Sequence, residues 1–430
     1  MSFWAGGATS AFAMAVALWC GPVAADNLDL VKTFYAGTQY SQHASSSSGL
    51  VRYLVPALCG PKCTGKAPSL KKAGRQILKD HPEFVRAAKL DFADGASEDP
   101  EANAVSLYIP FALHETLERN GKYQTRVVVM LAVEAFTTHS GEAESDDPRF
   151  ETLFTLSRLG FKPFLTTYAP SPADFREFYR LTFKELADTV LGDATEQLQW
   201  SRNEIPELFA VDRVNISPAL KTLAPVLAAL SSGDAKQDAK LLSNHFAQLL
   251  TGYLRDAVIK AGHYKVAVLA PTSPWLVHHA LDFLKHGDDP VIVSADQEIP
   301  LRAMSALLAV KDISLKDHGV AEDRAMVAQL AARVYQRTSG GSATFLPENI
   351  SDVKKKTRMG KDGWTYRRFS EDANRSLTIP RIVAVNKALK DLAPKLVNLM
   401  VCAAESGQST ACSADASIQI PPSQHSIAAR

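Results

Sequence analysis

The chain has 430 residues, and its first 25 contain no Lys, Arg, Asp or Glu, so the 47 basic and 46 acidic residues all lie beyond them. With 46% apolar residues, 22% charged, 23 Gly and 23 Pro, the composition excludes collagen-like, low-complexity and polytopic membrane chains. A net charge of +1 makes no global case for nucleic acid, so an anionic partner must be met by a local patch.

Residues 11–20 (AFAMAVALWC) form an apolar run of ten residues, short of the roughly 20 that span a bilayer but suited to the core of a signal peptide. Gly21 and Pro22 break the run, and Val23, Ala24 and Ala25 stand where signal peptidase needs small residues, which predicts cleavage before Asp26. The leading residues carry no Lys or Arg, so retention as an anchor is the alternative. No later stretch resembles a transmembrane helix. Cleavage removes Cys20 and leaves Cys59, Cys63, Cys402 and Cys412, an even set that suits an oxidising compartment, periplasmic or secreted. Of the three ways to pair them, Cys59 with Cys63 and Cys402 with Cys412 close the shortest loops at the least entropic cost. No further Cys or His pair completes a zinc ligand set, so no metal site is expected there.

Residues 26–103 read as a mixed segment with an apolar run at 50–58 and a helix near 69–90. From residue 104 short β-rich runs alternate with stretches of helical period. The predicted strands are 126–136, 163–168, 208–214, 265–270 and 290–294. Ser171-Pro172 opens a helix, with Asp174 completing a capping box, an apolar face of Phe175, Phe178, Tyr179, Phe183, Leu186 and Val190, and a stop at Gly192. Ser217-Pro218 opens another through Leu230, and Ser273-Pro274 a third that ends at Gly287. Strand, Ser-Pro and helix in succession are the pattern of βα units. They predict an α/β fold with a mostly parallel, doubly wound, Rossmann-like sheet and additions at both ends. Residues 303–310 and 322–335 read as helices, and a helix over 381–400 is interrupted by Pro394.

The expected organisation is a signal peptide (1–25), an N-terminal mixed segment (26–103), a main α/β domain (104–350), a basic hairpin with a C-terminal helix (351–401) and a polar tail, expected to be disordered (402–430). The turns at 168–172 and 269–274 echo one another and suggest a repeat. At that offset, however, the strand 126–136 falls on Ser-Ser-Gly-Asp in 228–238, so the spacing does not support duplication.

Open α/β sheets bind ligands where strands end, because helix N-termini there offer unpaired N–H groups. Thr138, His139, Glu142 and Asp146 follow the first of these strands. A His beside carboxylates can serve as a general base or hold a divalent ion, which makes His139, Glu142 and Asp146 candidate catalytic residues; the bland alternative is a solvated acidic loop. Thr138, Ser171, Thr272, Ser273, Trp275 and Asp296 are candidate ligand contacts, since hydroxyls at a helix start suit a phosphate, sulfate or carboxylate and Trp275 can stack on a ring. Plain helix capping competes with that role. His114 and Glu118 read as a surface pair on a possible helix. Gly60 to Lys66 fits only the first part of a P-loop, with Ala67 in place of the hydroxyl residue, and the chain has no Gly-x-Ser-x-Gly elbow.

The densest charge is Lys354, Lys355, Lys356, Arg358, Lys361, Arg367 and Arg368, interleaved with Trp364 around a Lys361-Asp362-Gly363 turn. This predicts an exposed basic hairpin able to meet anionic lipid, a polyanionic glycan or an envelope protein. The sequence therefore points to an exported α/β protein that binds a small anionic or polar ligand at the C-terminal edge of its sheet. A hydrolase, possibly metal-assisted, built on the His139 loop and an envelope-assembly or transport accessory protein using the hairpin are the alternatives. No motif implies a cofactor, and nucleic acid is not an expected partner.

Overall fold

Residues 127–133 are apolar on both faces of any strand they form, and a strand of that kind needs cover on both sides. In the computed structural model they form the centre of β5 (Lys122–His139), the spine of a six-stranded sheet. The structure describes residues 33–40, 49–59, 67–92, 103–119, 121–139, 149–199, 207–230, 235–263, 266–268, 304–317, 324–337, 343–345, 350–358 and 378–406. On one edge of β5 runs β6 (Arg149–Thr166), antiparallel from Tyr123↔Thr166 to His139↔Arg149. The other edge is shared by β4 (Ala112–Arg119) and β3 (Asn103–Ile109), which lie end to end and are separated at Pro110, a residue with no N–H for the ladder. Next comes β1 (Thr33–Tyr40), parallel to β3 and, on its far side, to the short β2 (Leu90–Asp91).

The second sheet follows the same plan. Its first strand, β7 (Glu207–Asn215), lies between two parallel neighbours, β8 (Val266–Val268) and β9 (Met304–Asp317). Antiparallel to β9 is β10 (Arg324–Arg337), whose other edge is shared by β11 (Ala343–Phe345) and β12 (Ile350–Arg358). In each half the first strand carries a bulge against its second parallel neighbour, between Tyr35 and Gly37 in β1 and between Val211 and Arg213 in β7. Each half also closes on a long helix, α4 (Pro172–Gln199) or α7 (Thr378–Ser406). The two copies are 174 residues apart at their first strands and 206 at their closing helices. This is why a single offset, taken from matching turns, misses the repetition.

Helices connect the first strand of each half to its parallel neighbour. In the first half they are a π-helical turn (Leu50–Leu54), α1 (Val55–Cys59), α2 (Ala67–Lys79) and α3 (Pro82–Ala87); in the second, a 3-10 turn (Ser217–Ala219), α5 (Leu220–Leu230) and α6 (Ala235–Lys260). Val127, Val129, Leu131 and Val133 of β5 pack with Leu54, Phe84, Tyr179, Phe183 and Val190 from the first set and α4. Val128 and Met130, on the opposite face, join Phe246, Leu250, Leu389 and Leu396 of α6 and α7, and the same cluster takes in Met304, Leu308, Ala328 and Val334 of the second sheet. The described residues thus stack as helix, sheet, helix, sheet. α7 lies between two sheets, with Ile379, Ile382, Val385, Leu389, Leu392, Leu396 and Met400 all buried, while Lys387 and Lys390 stay exposed on a polar face.

Several sequence expectations change. Parallel pairs are present, but among the described residues six antiparallel pairings stand against four parallel ones. A mostly parallel doubly wound sheet is not what they form. The link from β6 through α4 to β7 leaves one sheet for the other, because α4 packs back on β5 and β7 starts the second plan. Residues 303–310 and 322–335, predicted helical, contribute instead to β9 and β10. Alanines three apart imitate a helical stripe, but Met304, Ala306, Leu308 and Val310 alternate with Ser305, Leu307 and Ala309 and face one core. His114 and Glu118 stand on β4, where a four-residue separation spans roughly 13 Å, so they are not a helical pair. The basic run begins inside β12, paired with β10, and the turn expected at Lys361-Asp362-Gly363 lies outside the described residues. α4 continues past Gly192, and α7 passes through Pro394, whose ring is exposed.

Arg255 of α6 joins the outer strands of both sheets. Its Nη1 donates to the Thr155 carbonyl of β6 at 2.7 Å, and its Nε and Nη2 donate to the Val268 carbonyl of β8 at 3.2 and 3.0 Å. Arg255→Leu keeps bulk but leaves both carbonyls without these donors. It should lower the free energy of unfolding by about 2–4 kcal/mol, read as a lower urea midpoint at unchanged m.

Candidate functional site

Arg158 interrupts an apolar stretch of β6, and its guanidinium is withdrawn from water: the residue is 5% exposed. A buried cation persists only if paired and hydrogen-bonded. Its Nε donates to Asp193 Oδ2 of α4 at 2.8 Å, its Nη2 to Asp256 Oδ2 of α6 at 2.5 Å, and its Nη1 to the Ser157 carbonyl at 3.1 Å. The ring of Tyr253 lies 5.0 Å from the guanidinium carbon. Gln197 Nε2 donates to Asp256 Oδ1 at 2.8 Å, and the Tyr253 hydroxyl donates to Asn386 Oδ1 of α7 at 2.8 Å. Burial pushes the Asp256 carboxyl up and the Arg158 charge pulls it back. A Cβ on Gly252 would meet Arg158 Nη1 at 2.5 Å, so α6 approaches β6 at a glycine.

This network is the floor of a cleft of about 510 Å³ between β6, α4, α6 and α7, within the roughly 300–1,000 Å³ of small-molecule sites. Its mouth carries Lys260, the last residue of α6, and Lys387 and Lys390, three apart on α7. Glu185 on the same rim is held by Lys162, and Asp193 and Asp256 are held by Arg158. Lys387 and Lys390 are exposed and make no ion pair among the described residues. Phe161, Leu186 and Ile259 supply apolar wall. No His, Cys or Ser among the described residues lines the cleft.

Two other clusters hold perturbed groups. His114 Nδ1 lies 2.9 Å from the Tyr179 hydroxyl, among the rings of Tyr53 and Phe175. Burial, helped by Arg52, lowers its pKa to about 4, so the imidazole is neutral at pH 7. A Cβ on Gly49 would come within 1.7 Å of that hydroxyl, so only glycine fits there. Glu115 of β4 accepts the Thr378 and Ile379 N–H groups at 2.5 and 3.2 Å and so caps α7 from the other half of the chain. Burial pushes its pKa up to about 7, against those two hydrogen bonds and the charges of Arg126 and Arg381.

Among the described residues, none of the candidate site residues from the sequence lines the cleft. Ser171 caps α4 as predicted: its hydroxyl donates to Asp174 Oδ2 at 2.7 Å, its own N–H donates there at 2.8 Å, and Asp174 N–H returns to Ser171 Oγ at 3.3 Å. Thr138 and His139 end β5 opposite Phe150 and Arg149. Lys354, Lys355, Lys356 and Arg358 lie in β12 opposite Gln329, Ala328, Val327 and Ala325. Cys59 ends α1, and Cys402 is in the last turns of α7. Glu142, Asp146, Thr272, Ser273, Trp275, Asp296, Lys361, Trp364, Arg367, Arg368, Cys63 and Cys412 lie outside the described residues. The cleft residues escape sequence reasoning because they are single charges on separate elements; only Arg158, a cation amid apolar alternation, leaves a trace.

Among the described residues no helix is long and apolar enough to cross a membrane, and no group of three or more His, Cys, Asp or Glu could hold a metal ion. No protein-family model matches the chain, and no curated protein matches it.

The folded-state pKa of Glu115, about 7, exceeds its ordinary value of 4.5. Its contribution to stability is thus complete below the lower value and is lost as pH rises through the higher one. Glu115→Gln retains an acceptor for the two amides without the charge. Relative to the parent it should gain on the order of 1–2 kcal/mol between pH 5 and pH 8, seen as a flatter dependence of urea midpoint on pH.

Proposed function

We propose that the protein is exported, to the periplasm or beyond, and binds a small anionic or polar molecule in the cleft between its two halves. The observation that carries this is the mouth of the cleft, where Lys260, Lys387 and Lys390 stand beside Glu196, none of the four in an ion pair among the described residues, above a floor in which Arg158 holds Asp193 and Asp256. With Glu185 held by Lys162, three lysines against Glu196 and a floor of one guanidinium and two carboxylates leave a small excess of positive charge, which favours an anion. The site lies beyond the outer edge of β6 and not at the strand ends expected from the sequence. Export is supported by the uncharged leading segment, and the disulfides Cys59–Cys63 and Cys402–Cys412 belong to the same proposal. In that pairing each bond ties the end of a helix to the chain that follows it.

The register of β12 supports a second reading. Lys354 and Lys356 stand two apart in a strand beside β10 and so share one of its faces, a pair that would serve an anionic envelope partner. Reversing their charges should abolish capture of that partner while leaving ligand binding in the cleft intact.

Two measurements test the main proposal. Titration calorimetry of the full chain with citrate and inorganic phosphate should show saturable binding, weakened at least about tenfold by Lys387→Glu with Lys390→Glu; equal affinity in parent and variant counts against the cleft. The secreted protein should have an intact mass that lacks residues 1–25 and shifts on reduction by two disulfides.

A further inference from the structure

Resting on that cleft, we propose that its ligand is a single-chain amphiphile, with an anionic head on Lys387 and Lys390 and an alkyl tail along Phe161, Pro163 and Leu165 of β6. Exposed large apolar side chains are few: among the described residues they are Phe161 (43% exposed), Leu165 (63%), Tyr168 (55%) and Leu220 (38%). Three of these four fall within residues 161–168, and the first of them lines the cleft. Phe161 and Leu165 are four residues apart and pair with Val128 and Gln124 of β5, so they share one face of the strand, with exposed Pro163 between them. That face is the one on which α6 and α7 lie, because Val128 belongs to their core cluster. The apolar strip therefore starts where the lysines stand and leads away from them for roughly 13 Å, the reach of a medium alkyl chain.

The edge of β6 argues for a tail and against an added peptide strand. Pro163 has no N–H to offer a neighbouring strand. The Thr155 and Ser157 carbonyls are already taken by Arg255 and Arg158. An alkyl chain needs no hydrogen bonds from that edge, only apolar surface to cover, and each methylene it buries strengthens binding about fourfold.

The test compares inorganic phosphate, octyl phosphate and dodecyl phosphate, each below its micellar concentration, by calorimetry on the full chain, beside vesicles containing an anionic phospholipid. Expected is an affinity that rises at least about tenfold from octyl to dodecyl phosphate. Leu165→Ser should erase that gain without changing phosphate affinity, and Lys387→Glu with Lys390→Glu should weaken all three. Phosphate binding that depends on the two lysines but shows no gain with chain length overturns the tail and leaves the cleft as an anion site. Dodecyl phosphate binding indifferent to both lysines overturns the placement, and binding to vesicles alone overturns the soluble amphiphile in favour of a membrane surface. Failure of all three phosphates to bind removes the amphiphile and the anion site together.

Discussion

Arg158 carries a charge that the fold takes out of water, and it is neutralised by one carboxylate from each half, Asp193 of α4 and Asp256 of α6. A buried ion pair of this kind contributes little net stability, but the loss of one partner strands an uncompensated charge. The pairing therefore acts mainly as a constraint on position. It sets how α4 and α6 meet at the edge of β6, and the close approach is possible because position 252 has no side chain to obstruct the guanidinium. Arg255, one turn further along α6, applies a similar constraint to backbone groups of both sheets. Between them, two arginines hold the two halves in the arrangement that leaves the cleft open.

The repeated plan explains why such ties are needed. A sheet that is apolar on both faces must be covered twice, and the helices of the first half cover only one face of theirs. The other face is covered by α6 and α7, which belong to the second half and pack at the same time on their own sheet. The halves share a core and are not two beads on a string. Glu115 extends the sharing to a helix terminus: the first amides of α7 are satisfied by a carboxylate from β4. Because this carboxylate titrates near neutrality, the junction is sensitive to pH at one of its fixed points.

The position proposed for a ligand, beyond a sheet edge and not at the strand ends of a parallel sheet, is in keeping with the same architecture. Where antiparallel pairs dominate, strand ends are taken up by hairpins and offer no shared crevice. The edge of β6 that has no strand partner among the described residues faces instead the seam between α4, α6 and α7, where charged residues from three helices converge. Pro163 and the two arginine-bonded carbonyls keep that edge from pairing with another strand, so its exposed apolar side chains are left for a different kind of contact.

Local signals carried much of the secondary structure. Apolar content on both faces marks β5, short β-branched runs mark β7 and β8, and Ser-Pro starts mark α4 and α5. The same signals misread β9 and β10, where alanines at three-residue spacing suit either period, and did not announce α6. Sheet membership lay further out of reach: β1 joins β3, and β7 joins β9, across separations bridged only by long-range register. The cleft was least legible, because Arg158 meets Asp193 and Asp256 across 35 and 98 residues, and isolated charges have no periodicity to detect. The sequence by itself determined elements such as β5, α4 and α5, since capping and alternation act over a few residues. Only the tertiary structure decided which strands share a sheet and which charges share a site, because those depend on burial and pairing between segments far apart in the chain.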